Sequence, residues 1–117
     1  MGPKAAPAMS ALITLLGDED PLVRQQASFA LGSLGEAAEQ PLNLTLSNES
    51  STTRESAALA LAEVGAASQA TLKNLQSLMS DPSSQVRVAG LRALANSTIR
   101  VEQLIPIIRT ALDCLLY

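Results

Sequence analysis

The sequence predicts an all-α fold, an α-solenoid (α-α superhelix) of about three and a half helical hairpins with seven helices. Three observations lead there. An arginine preceded by a β-branched residue recurs at Val23-Arg24, Thr53-Arg54 and Val86-Arg87, at a spacing of about 30 residues. Apolar residues after each pair follow the period of a helix, as in Val23, Ala27, Ala30, Leu31 and Leu34. Rings are nearly missing, with one Phe and one Tyr in 117 residues. A core built from Leu, Ile, Val and Ala suits closely packed helices better than a sandwich or barrel.

Other columns repeat in step with the arginines. Six residues before each stands Asp18, Asn48 or Asp81, and eight before stands Leu16, Leu46 or Met79. Three after come Ala27, Ala57 or Gly90; six after, Ala30, Ala60 or Ala93; seven after, Leu31, Leu61 or Leu94. Each unit therefore reads as two helices, and the small residues let a neighbouring helix approach closely.

Helices are predicted over 5–16, 21–34, 37–46, 52–64, 68–79, 84–96 and 100–115. The first carries Met9, Leu12, Leu15 and Leu16 on one face and ends in the polar turn 17–20. Asp20 is an N-cap for the second, with Pro21 at its first position. Gly35 ends that helix, where a left-handed residue is wanted. The middle unit is three residues shorter, so helix 37–46 loses about a turn. Helix 52–64 ends at Gly65. Helix 68–79 repeats the first face with Leu72, Leu75, Leu78 and Met79. Asp81-Pro82 offers the capping chemistry of Asp20-Pro21 two residues early, which leaves the start of helix 84–96 open by about a turn. In helix 100–115, Ile105, Ile108, Ala111 and Leu112 align with the first-helix face and should meet the preceding unit. The whole chain, 1–117, reads as one repeat domain with units of about 2–35, 36–65 and 66–98 and a partial unit 99–117.

Charge and composition narrow the function. The net charge is −3, and the eight Lys and Arg are scattered, which argues against nucleic acid. Cys114 is the only cysteine and there is no His. An intramolecular disulfide is excluded, and the commonest general base and metal ligand is missing. The sequence therefore predicts no enzyme, no cofactor and no metal. With no secretion signal and no apolar run long enough to span a bilayer, a cytoplasmic chain without a membrane role is expected. The Asn-x-Ser/Thr triplets at Asn43, Asn48 and Asn96 are read as accidental. Asp18-Glu19-Asp20 lacks the calcium-loop pattern and reads as a solvated turn with a cap.

Leu16, Asp18 and the run from Val23-Arg24 to Leu34-Gly35, with their copies, resemble HEAT repeats, an armadillo-like helical family. The likeness is closest to the short type found in phycobilisome-lyase-like proteins. Ile105 to Leu112, with Pro106, looks like the family's first helix. The resemblance covers nearly the whole chain. It implies a ladder of side-chain contacts between neighbouring units, carried here by Asp18, Asn48 and Asp81 with Arg24, Arg54 and Arg87. Asn48 departs from the acidic pattern and should give a weaker rung.

In such a stack the second helices line the concave face. Residues one, five and nine after each arginine share its exposed side: Gln25, Phe29 and Ser33; Glu55, Leu59 and Glu63; Val88, Arg92 and Asn96. Phe29, Leu59 and Val88 form a small apolar stripe flanked by Glu55, Glu63 and Arg92. The reading is a non-catalytic scaffold or adaptor that binds a protein or peptide partner on this face. The runner-up, on resemblance alone, is an accessory role with a bilin chromophore or its carrier protein. Leu104, Ile107, Leu115 and Leu116 fall on sides of the last helix that a following helix would cover, so a homodimer or end-to-end packing through the C-terminal helix is expected, the alternative being that the helix tilts inward and hides them within one chain.

Overall fold

The computed structural model describes residues 5–65, 68–97, 105–106, 108–110 and 112–113. Among them there is no strand. Six α-helices follow in order: α1 (Ala5–Leu15), α2 (Pro21–Ser33), α3 (Glu36–Thr45), α4 (Ser51–Val64), α5 (Gln69–Ser77) and α6 (Ser84–Ala95). A 3₁₀ turn, Leu78–Ser80, extends α5. The described residues between 105 and 113 are also helical, where the seventh helix is predicted.

The starts of the helices follow side-chain chemistry. The Asp20 carboxylate accepts the Leu22 N–H at 2.9 Å, with Pro21 at the first position of α2. Ser50, Ser68 and Ser83 cap α4, α5 and α6 by accepting the amides of Thr53, Thr71 and Val86. The cap of α6 is thus Ser83 and not Asp81-Pro82, because the Asp81 carboxylate is engaged elsewhere. Gly35 and Gly65 hold positive φ values of 65° and 78°, which a β-carbon would strain. Gly35 serves as the N-cap of the ten-residue α3 and Gly65 as the C-cap of α4.

The helices form two layers. α1, α3 and α5 pack side by side in one, α2, α4 and α6 in the other, and each hairpin joins the layers through α1–α2, α3–α4 and α5–α6 contacts. Leu16, Leu31, Leu42, Leu75, Leu94 and Val86 are wholly buried between them. Alanines at 27, 57, 58, 60 and 93 are also buried, so the helices of the second layer lie close. Gly32 sets the limit: a β-carbon there would fall 2.3 Å from the Glu63 Cβ on α4. Burial of this apolar set is the main stabilising term, at roughly 1.5–3 kcal/mol for each large aliphatic side chain.

Three expectations about burial need correction. Leu34, placed in the buried stripe of the second helix, is 37% exposed; it is the C-cap residue, one step beyond the last turn of α2. Ile105 and Leu112 are 51% and 52% exposed, although their counterparts Met9 and Leu16 are buried. Leu104, Ile107, Ala111, Cys114, Leu115 and Leu116 lie outside the described residues. No helix among the described residues is long and apolar enough to cross a membrane.

Candidate functional site

The loops that precede α2, α4 and α6 are built alike. In each, the side-chain oxygen of Asp18, Asn48 or Asp81 accepts the amide two residues on, from Asp20, Ser50 or Ser83, at 2.9 Å. The arginine on the following helix then donates through Nη1 to the carbonyl of the same residue: Arg24 to Asp18 at 2.7 Å, Arg54 to Asn48 at 2.9 Å, Arg87 to Asp81 at 2.6 Å. Arg24 and Arg54 reach a second carbonyl, that of Glu19 or Glu49. The arginines therefore tie each helix to the loop ahead of it, and their partners within a unit are carbonyls, not carboxylates.

An arginine–carboxylate rung between units occurs once among the described residues. Arg54 Nε and Nη2 donate to Asp81 Oδ2 and Oδ1 at 2.9 and 3.1 Å. This bidentate pair is largely shielded, with side chains 16% and 8% exposed. Burial alone would raise the Asp81 pKa. The Arg54 bonds, the Ser83 amide and the positive fields of Arg54 and Arg87 outweigh it and hold the carboxyl below the usual range. Asn48 stands where the preceding rung would need a carboxylate. It keeps the loop bond of Asp18 and Asp81 but has no charge to offer Arg24. At the third position Arg87 Nε is buried without a hydrogen-bond partner among the described residues.

A second polar cluster lies in the first-helix layer, and the sequence reading did not find it. Glu39 on α3 accepts the Ser68 amide at 2.7 Å and the Thr71 hydroxyl. Asn43 donates to the same Thr71 oxygen at 2.7 Å and accepts from Asn74 at 3.2 Å. Burial raises the Glu39 pKa, but these bonds from Ser68 and Thr71 prevail and lower it. The cluster joins α3 to α5. The available signal, an Asn in each of the two helices, is too common a residue type to stand out.

All nine residues assigned to the exposed side of the second helices lie on α2, α4 and α6 or at their ends, and none is buried. Six of them, Gln25, Phe29, Glu55, Leu59, Glu63 and Arg92, line one open cleft of about 270 Å³ between α2 and α4. Arg24, Pro21, Ser28 and Ser56 complete its walls. Ser33, Val88 and Asn96 are exposed but outside it. Phe29 is 45% exposed, while Leu59 is half-buried against the core. Beneath them the Ser28 hydroxyl donates to the Ser56 carbonyl at 3.1 Å, which leaves the floor without an unmet polar demand. The carboxylates of Glu55 and Glu63 and the guanidinium of Arg92 form no hydrogen bond or ion pair among the described residues.

The cleft holds no arrangement for metal binding: no group of three His, Cys, Asp or Glu suited to an ion occurs among the described residues. In the Asp18-Glu19-Asp20 turn, Asp18 and Asp20 are each spent on a backbone amide.

A two-layered stack of helical hairpins, each closed by the same arginine-to-loop device, defines a helical-repeat protein. Its sequence matches the family described as HEAT repeats over residues 9–95, most of the chain, and the chain belongs to that family. HEAT repeats are commonly protein-interaction scaffolds. No curated protein matches the chain.

Proposed function

We propose that this chain is a non-catalytic scaffold or adaptor that binds a protein or peptide on the concave face formed by α2, α4 and α6. The observation that carries the reading is the cleft between α2 and α4, where an exposed aromatic ring and a leucine sit between unpaired charges. Apolar anchors ringed by polar groups dominate interface energetics. The fold supplies a rigid second-helix layer on which to hold them. The single Cys and the absence of His fit a reducing, cytoplasmic setting.

The test is affinity capture from the source cell on the immobilised chain, with the partner identified by mass spectrometry. Phe29→Ala combined with Leu59→Ala should lose that partner, while Lys73→Glu, on α5 in the other layer, should retain it. Equal capture by all three forms would remove the concave face as the binding surface. Incubation with a bilin, followed by absorbance, tests the phycobilisome-lyase-like reading; a bound, shifted spectrum would favour it over the scaffold. Self-association through the C-terminal helix belongs to the same proposal and is supported by the exposure of Ile105 and Leu112.

A further inference from the structure

Glu55, Leu59 and Glu63 stand four residues apart along α4, so successive side chains are about 6 Å apart on one face. Alternate side chains of an extended strand, which point the same way, are about 6.6 Å apart. The two spacings match over a short stretch. The helices that wall the cleft also touch at one point. Gly32 of α2 lies against Glu63 of α4 so closely that a β-carbon has no room. An extended segment can therefore set alternate side chains against successive positions of α4.

Charge selects further. Glu55 forms no hydrogen bond or ion pair among the described residues. Arg24, the cation at its end of the cleft, already has its Nη1 committed to the carbonyls of Asp18 and Glu19, and Asp18, Glu19 and Asp20 add negative charge in that loop. Arg92 lines the same cleft from α6. The Glu55 end is therefore the better seat for a cation. Phe29 and Leu59, one helical turn along, offer an apolar seat.

We infer that the cleft takes an extended peptide segment of the form basic–x–apolar, with the basic side chain on Glu55 and the apolar one between Phe29 and Leu59. The inference rests on the concave-face reading above and adds the chemistry of the partner. It is tested by titrating the isotope-labelled full chain with blocked pentapeptides at millimolar concentration and following backbone amide shifts. The probes are glycine-arginine-alanine-leucine-glycine, the same peptide with glutamine for arginine, and the same peptide with serine for leucine. The first should shift the amides of Gln25, Phe29, Glu55 and Leu59 and bind about fivefold tighter than the glutamine peptide. Glu55→Gln should erase that difference and leave the weaker, apolar binding. Arg92→Gln should leave the affinity equal or higher. The preference should fade with added salt.

Equal binding of the arginine and glutamine peptides at these amides would overturn the basic seat. Binding of the serine peptide as tightly as the leucine peptide would overturn the apolar one. Absence of shifts at these amides with every peptide would overturn the inference as a whole. The concave-face reading would fall separately, if the captured partner were held equally by wild type and by Phe29→Ala with Leu59→Ala.

Discussion

At the scale of single residues, the three arginines share a position and differ in what they hold. Arg54 satisfies two loop carbonyls and bridges to the Asp81 carboxylate of the next unit. Arg24 satisfies two carbonyls, and the residue of the next unit that matches Asp81 in the repeat is neutral Asn48. Losing a shielded, charge-assisted pair costs about 1.5–3 kcal/mol, and a domain of this size has only about 5–15 kcal/mol in total. Thermal melts should therefore rank Arg54→Ala lowest, Arg24→Ala next, and Lys73→Ala, an exposed control, level with wild type. Equal melting temperatures for Arg54→Ala and Lys73→Ala would show that the rung contributes nothing.

The same pair gives a pH dependence. Asp81 is held below the ordinary carboxylate range in the folded chain, so its contribution is complete above the unfolded pKa of about 4. It is lost as pH falls through the lower, folded value. Urea unfolding of wild type and Asp81→Asn should differ at neutral pH, and the gap should close below about pH 4. A gap that stays constant into acid would mean that the ionised form of Asp81 is not what stabilises the fold.

At the scale of elements, α3 and α5 are joined by polar contacts where the second-layer helices are joined by alanines. Thr71 is 1% exposed, donates to Glu39 and accepts from Asn43. Thr71→Val keeps the volume but removes one buried bond from each partner, Glu39 keeping the Ser68 amide and Asn43 the Asn74 bond, which should cost about 1–3 kcal/mol in unfolding free energy. A stability unchanged from wild type would indicate that water replaces the hydroxyl. The middle first helix, α3, carries Pro41 and is the shortest of its layer apart from α5, so fixing it to α5 compensates for a helix with few turns.

At the scale of the whole molecule, large apolar residues are exposed along the stack, Leu22, Leu44 and Val88 among them. Phe29 faces the cleft, whereas Ile105 and Leu112 are half-exposed on the C-terminal helical residues, where no described helix covers them. Covering each would contribute roughly 1.5–3 kcal/mol. Light scattering at micromolar concentration should give a dimer for wild type, and Ile105→Glu with Leu112→Glu should restore the monomer. A wild type that is monomeric at every concentration would remove this interface.

Helix number, order and approximate ends were legible because they depend on local rules. Helical periodicity, Asp20-Pro21, Gly35 and Gly65 each act within a few residues of themselves, and a repeat states them three times. The exposed side of the second helices was legible for the same reason, since residues four apart share a face. What the arginines bind was not legible. Their columns mark a shared role, but only the packing of one unit on the next put Asp81 against Arg54 and left Asn48 and Arg87 Nε without a charged rung. The exposure of Ile105 and Leu112 also escaped the pattern, which describes a face but not whether another helix lies against it. The groove itself depends on how near α2 comes to α4. That distance is set at Gly32 by atoms on two different helices, and periodicity along either helix carries no information about it.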